Sequence, residues 1–129
     1  MKNKLIIRAV VSGILASITG ICYQLAYESA LNCNFSKIIN PISITMASII
    51  GTILMTFGYW ILGKLKLEKY QLWYLFLINI LSIASIIGPM GSTLPLDIEN
   101  PELFPGLIAP LHLFPALSFI TLSTSIKND

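Results

Sequence analysis

The sequence predicts an all-α integral membrane protein, a four-helix antiparallel bundle with both termini on the inner side. Three observations carry this. Of the 129 residues 55% are apolar and only 11% charged, against about 25% charged in soluble domains. Four apolar stretches reach the roughly 20 residues that a helix needs to cross the hydrocarbon core. The basic residues, finally, gather on one side of the alternation those stretches define. At this length the chain is one domain without a separate soluble module.

The first span follows Lys2 and Lys4 and runs from Leu5 to Tyr27. A basic start before an apolar run also describes a signal peptide, whose apolar part is about 7–15 residues and ends at small residues. This run is longer and ends in Tyr23, Gln24 and Tyr27, so a retained helix is expected. Glu28–Asn40 reads as a polar loop. Pro41 opens the second span, Ile42–Leu62, because a first-turn proline lacks only an N–H that has no partner there. Tyr59 and Trp60 close it, and Trp73 and Tyr74 open the third, Gln71–Met90, as interfacial aromatics do. Between them Gly63 and the run Lys64, Lys66, Glu68 and Lys69 require water. A loop, Gly91–Pro105, leads to the fourth span, Gly106–Ser125.

Basic residues are retained in the cytoplasm. With both termini inside, that side holds Lys2, Lys4, Arg8, Lys64, Lys66, Lys69 and Lys127 against Glu68 and Asp129, seven cations to two anions and a net +5. The outer side holds Lys37 against Glu28, Asp97, Glu99 and Glu102, one cation to four anions and a net −3.

Helices in lipid associate through small residues and interhelical hydrogen bonds. Each span offers such a stripe at helical spacing. The first has Ala9, Gly13, Ser17, Gly20 and Gln24; the second Thr45, Ser48, Thr52, Thr56 and Tyr59. The third has Asn79, Ser82 and Ser85, with Ala84 and Gly88 at small-xxx-small spacing; the fourth Ala109, His112, Ala116 and Phe119. Serine and threonine can satisfy themselves on their own helix carbonyls, so these stripes do not require a pore.

Residues 88–115 hold six of the seven prolines, the only histidine and three of the six acidic residues. His112 falls about six residues inside the outer end of the fourth span, roughly 9 Å deep. Two readings stay open. A neutral histidine settles structurally by bonding a neighbour such as Gln24 or Ser85, whereas intramembrane ionisable groups are also often functional. Glu28 and Gln24, one turn apart, reach a similar depth, where a Glu–His pair would form an acid–base couple. Glu28 equally reads as an interfacial carboxylate. Asn79 suits an interhelical hydrogen bond. His112, Gln24, Glu28, Asn79 and Ser85 are therefore the candidate ligand-binding residues, in a pocket bounded by the first, third and fourth spans.

Pro110 and Pro115 should kink the fourth helix and Pro89 should end or bend the third. Leu94, Leu96, Ile98, Leu103 and Phe104 are too apolar for a free loop. They should fold back over the bundle mouth as a partial lid, leaving Asp97, Glu99 and Glu102 in water.

No catalytic constellation, metal site or cofactor is predicted. Two cysteines and one histidine cannot supply the usual four-ligand metal set, and Cys22 reads as a buried apolar residue. The acidic loop lacks calcium-loop spacing. There is no phosphate loop, GxGxxG, HExxH or GxSxG, and no basic, aromatic-interleaved patch for nucleic acid. The inner lysines suit anionic lipids.

Three stretches, Asn40–Leu54, Leu81–Pro89 and Pro110–Leu117 with its histidine, resemble a family of small bacterial four-helix membrane proteins known only as a domain of unknown function. The resemblance implies that fold and a bacterial inner membrane, and brings no activity. Isoleucine, lysine and asparagine usage fits an AT-rich bacterial source. The leading expectation is a non-catalytic interaction or accessory subunit, or a binder of lipid or a small hydrophobic ligand. Its partners would be lipids and another membrane protein or a second copy, met through small-residue faces. The alternative is a small carrier or proton-coupled membrane enzyme centred on His112.

Overall fold

The computed structural model describes residues 2–125, and every regular element among them is helical. In order the α-helices are α1 (Lys2–Leu31), α2 (Pro41–Lys64), α3 (Gln71–Ser85), the single turn α4 (Ile87–Met90) and α5 (Phe104–Ser125), with 3-10 turns at Glu68–Tyr70 and Pro101–Leu103 leading into α3 and α5. Four stretches are long and apolar enough to cross a membrane: Lys4–Leu31, Pro41–Lys64, Glu68–Met90 and Pro101–Ser123. Lys127 and Asp129, placed on the inner side by the sequence, lie outside the described residues.

Local chemistry sets the helix ends. α1 runs past Tyr27 through Glu28 to Leu31, so Glu28 is helical and the polar loop starts later than expected. Asn32 takes a left-handed φ of 50°, and the Cys33 N–H donates to the Glu28 carbonyl at 3.2 Å. That bond is a Schellman stop. α2 begins at Pro41 behind a capping box in which Asn40 and Ser43 bond each other's backbone. It ends the way α1 does, with Lys66 at φ 55° and the Leu67 N–H on the Leu62 carbonyl at 2.9 Å. α3 is interrupted at Ile86 and resumes for one turn. Pro89 has no N–H for the Ser85 carbonyl, which accounts for the break there. α5 runs as one helix through Pro110 and Pro115.

The stripe expected in the first span is buried along its length, at Ala9, Gly13, Ser17, Gly20 and Gln24. A Cβ at Gly13 would come within 3.0 Å of Thr52 Oγ1, and one at Gly20 within 2.8 Å of the Ile44 side chain. Only glycine permits that approach of α1 to α2. α1 also packs along α5, and α3 leans mainly on α5. α2 and α3 meet near their connecting turn, where the Tyr74 hydroxyl donates to the Met55 carbonyl at 2.7 Å and fills the space above Gly58. Away from that point they part. The small pair Ala84 and Gly88 is exposed, and among the described residues nothing beyond its own helix backbone and chain neighbours lies within 4 Å of a Cβ at Gly88.

The opposite end is capped by the loops. Phe35, Ile39, Ile98, Phe104, Leu107 and Ile108 share one apolar cluster, with Phe35 and Phe104 ring centroids 5.5 Å apart. Ile98 is buried and Leu94 and Leu103 pack on the cluster, so the proline-flanked loop does fold back. Leu96 does not join it: at 106% relative exposure it points away. Lys37 Nζ meets Asp97 Oδ2 at 2.6 Å and ties the two loops together. Cys22 is exposed and Cys33 buried, both as free thiols, which reverses the expected burial of Cys22.

Candidate functional site

Because α3 leans on α5 and parts from α2, a groove of about 700 Å³ opens between the three helices. That size falls within the range of small-molecule sites, about 300–1,000 Å³. α2 supplies one wall with Ile44, Ala47, Ser48, Gly51, Leu54 and Met55. α3 supplies the other with Tyr74, Leu77, Ile78, Leu81, Ser82 and Ser85. Ile108, Leu111, His112 and Pro115 of α5 lie between them. Ile50, Leu54, Leu77 and Leu81 are exposed, while Ile44, Ser48, Ile78 and Ser82 are buried. The groove thus grades from an open apolar mouth to an enclosed floor.

Six polar side chains interrupt this apolar lining, of which Ser43, Tyr74 and Ser85 donate to backbone carbonyls and leave His112, Ser48 and Ser82. His112 Nδ1 lies 3.1 Å from the Ile108 carbonyl oxygen one turn back. A carbonyl only accepts, so Nδ1 carries the hydrogen, and Nε2, which bonds nothing among the described residues, is the acceptor in the imidazole form. Ser48 and Ser82, 3% and 7% exposed, line opposite walls, and their hydroxyls make no hydrogen bond among the described residues. Ser118 likewise makes no hydrogen bond among the described residues, but the remaining buried hydroxyls behave differently. Ser12, Ser17 and Ser123 donate to carbonyls four residues back at 2.6–2.7 Å. Ser48 and Ser82 forgo that local bond, which leaves two donors and one acceptor for an occupant.

The residues expected to form the site separate. His112 and Ser85 share the groove, Ser85 at its mouth and donating to the Ser82 carbonyl at 2.7 Å. Gln24 and Glu28 do not line it. Gln24 Nε2 donates to Glu28 Oε1 at 3.1 Å and to the Ile39 carbonyl at 2.8 Å, and Glu28 Oε1 also accepts from the Phe35 N–H at 2.9 Å. The pair ties the end of α1 to the following turn, and no hydrogen bond joins it to His112 among the described residues. Asn79 is half-buried and turns to its own Leu75 carbonyl at 3.4 Å, not to another helix. The expected walls change too: α1 contributes no residue to the groove, and α2 takes its place.

Sequence reasoning placed Ser48 and Ser82 in packing stripes and missed them as groove donors. Their signal was the same i, i+3 spacing as their self-bonded neighbours, which does not tell the two uses apart. Outside the spans, burial raises the Cys33 thiol above its ordinary value, with the nearby Glu28 carboxylate adding to the effect. It is a poor nucleophile.

The fold and groove define a class: a helical protein with membrane-length helices and an apolar cleft carrying three free hydrogen-bonding groups. Set against protein-family models, curated proteins and solved structures, the chain finds no match.

Proposed function

We propose that this is a non-catalytic, multi-pass protein of a bacterial inner membrane that binds a lipid or small hydrophobic molecule in the α2–α3–α5 groove. The observation that carries the reading is an apolar cleft in the membrane-length region with the unpaired hydroxyls of Ser48 and Ser82 and a free His112 nitrogen. Such a set suits a mostly hydrocarbon ligand with one hydroxyl, ester or amide group, which the two donors and the acceptor would orient. The four spans form an antiparallel bundle with both termini inside. Gly13 against Thr52 and Gly20 against Ile44 support antiparallel α1 and α2, and the basic residues support the orientation.

The carrier or enzyme reading draws less support, because Glu28 is engaged by Gln24 and Phe35. An accessory role is a second reading, favoured by Ala84 and Gly88, which lie exposed on the third span with no other helix of the described residues against Gly88.

The test is purification in mild detergent followed by mass spectrometry of what remains bound. Gly51 lines the groove, and a Cβ there would stand 3.7 Å from Pro115 Cβ, so Gly51→Phe would fill the cleft. The expected outcome is an apolar small molecule on the wild type that the variant loses while still folding. Retention by both proteins, or an empty wild type, would count against the reading.

A further inference from the structure

We propose a second site, at the other end of the bundle: Arg8 anchors a phosphate-bearing lipid of the leaflet that the N-terminal end of α1 meets.

Arg8 lies four residues inside the span that begins at Lys4, about 6 Å along the helix axis. It is only 6% exposed, although it is a guanidinium and stays charged. Its Cζ stands 4.8 Å from the centroid of the Tyr59 ring. A ring face attracts the cation but accepts none of its in-plane N–H bonds. Nε and Nη1 are fully enclosed with no hydrogen-bond partner. No carboxylate of the described residues pairs with it, Lys37–Asp97 being their one salt bridge. An uncompensated charge buried this way is strongly destabilising, so the site calls for an anionic acceptor from outside the described chain.

The other cations at this end differ. Lys64 rests on Trp60 and Lys69 on Tyr70, at 4.5 and 5.0 Å, yet both side chains belong to exposed residues that water solvates. Lys4 and Lys66 are exposed too, and Glu68 is the only acidic residue in the adjoining turn. That cluster attracts anionic headgroups to the surface. Arg8, one turn deeper, has Nη2 outside the enclosed pair and without a partner among the described residues, a charge-assisted donor for a phosphate oxygen. Ile7 and Val11 beside it on α1 are exposed apolar surface for the acyl chains. The inference does not depend on the groove.

The test uses the full chain in mild detergent. Phosphatidylglycerol, a phosphate-free glucosyl diacylglycerol and inorganic phosphate are added separately. Retained lipid is read by native mass spectrometry and stability by melting temperature. Wild type should retain phosphatidylglycerol and melt higher with it, and the sugar lipid should do neither. Arg8→Gln should weaken retention about tenfold or more, the scale of one charge-assisted hydrogen bond, and abolish the rise in melting temperature. Arg8→Lys, which keeps the charge on a more strongly hydrated ammonium, should fall between; it also serves if the Gln variant does not fold. Gly51→Phe should keep the effect, separating this site from the groove. Three results would overturn the proposal. One is equal retention by wild type and Arg8→Gln. Another is inorganic phosphate reproducing the stabilisation without lipid. The third is non-additive loss of melting temperature for Arg8→Gln and Asp129→Asn in the lipid-free protein, which would make the chain's own tail the partner.

Discussion

The Tyr23 hydroxyl donates to the Gly106 carbonyl at 2.7 Å across 83 residues of chain. Gly106 is four residues before Pro110, and proline has no N–H to give that carbonyl. Tyr23 on α1 therefore supplies the bond that Pro110 on α5 withholds. One turn on, the Tyr27 hydroxyl reaches the Leu103 carbonyl at 2.7 Å and its ring occupies the space a side chain at Gly106 would need. A proline that would weaken an isolated helix here becomes part of the α1–α5 contact.

The relationship is testable as a double-mutant cycle. Tyr23→Phe should destabilise the protein by about 1 kcal/mol, the scale of an interhelical hydrogen bond in lipid plus an orphaned carbonyl. In a Pro110→Ala background the same change should cost clearly less, because the alanine has an N–H that can donate to the Gly106 carbonyl within the helix. Additive losses in unfolding measurements would show that the tyrosine acts through packing alone.

His112 offers a separable prediction. Its one protein hydrogen bond is to its own helix, so His112→Gln should change stability by less than about 1 kcal/mol. The same substitution should lower retention of the groove ligand, and Ser48→Ala with Ser82→Ala should lower it further. A large fall in melting temperature for His112→Gln, with retention intact, would assign the residue to structure.

Much of the fold was legible because apolar length and local capping chemistry fix it in one dimension. Span lengths, the Pro41 start and the buried first-span stripe follow from hydropathy, capping and small-residue spacing. The site was less legible because it depends on which helices part. Depth counting put Gln24 and Glu28 level with His112, but rotation about the helix axis turned them to the 32–40 loop. Nothing along the chain marks that Tyr74 pins α3 to α2 at one end and leaves the rest apart. Arg8 was read as one more inner cation, since its position relative to the Tyr59 ring exists only in three dimensions.

The orientation proposal has a direct measurement. Reporter fusions at Lys66 and after the last residue should report cytoplasmic, and one at Glu99 periplasmic. Lys66 lies two residues past the end of α2 in an exposed turn, so a fusion there samples the connection itself. A periplasmic signal at Lys66 would rule out the N-in, C-in arrangement.

The last prediction concerns the tie between the loops. Hydrogen bonding to Lys37 lowers the Asp97 carboxyl below its ordinary 3.8, and the same bond raises Lys37 above 10.5. A lowered acid contributes stability that is present above its ordinary value and lost as pH falls through its folded value. A raised lysine contributes stability that is full below its ordinary value and lost as pH rises through its folded value. The tie should therefore hold unchanged across neutral pH and release only at the acidic and alkaline extremes. Both side chains are largely exposed, so salt should weaken it. Ile98, whose N–H bonds the Pro95 carbonyl at 3.2 Å, reports the loop's closure. Hydrogen exchange of residues 94–100 at neutral pH should be faster in Asp97→Asn than in wild type, with the α1 and α2 amides unchanged. Thiol labelling of Leu96→Cys should be fast in either background, because that side chain already points outward. Labelling of Ile98→Cys should be slow until Asp97 is changed. Equal rates at 96 and 98 with the tie intact would mean that the loop does not rest on the Phe35–Phe104 cluster.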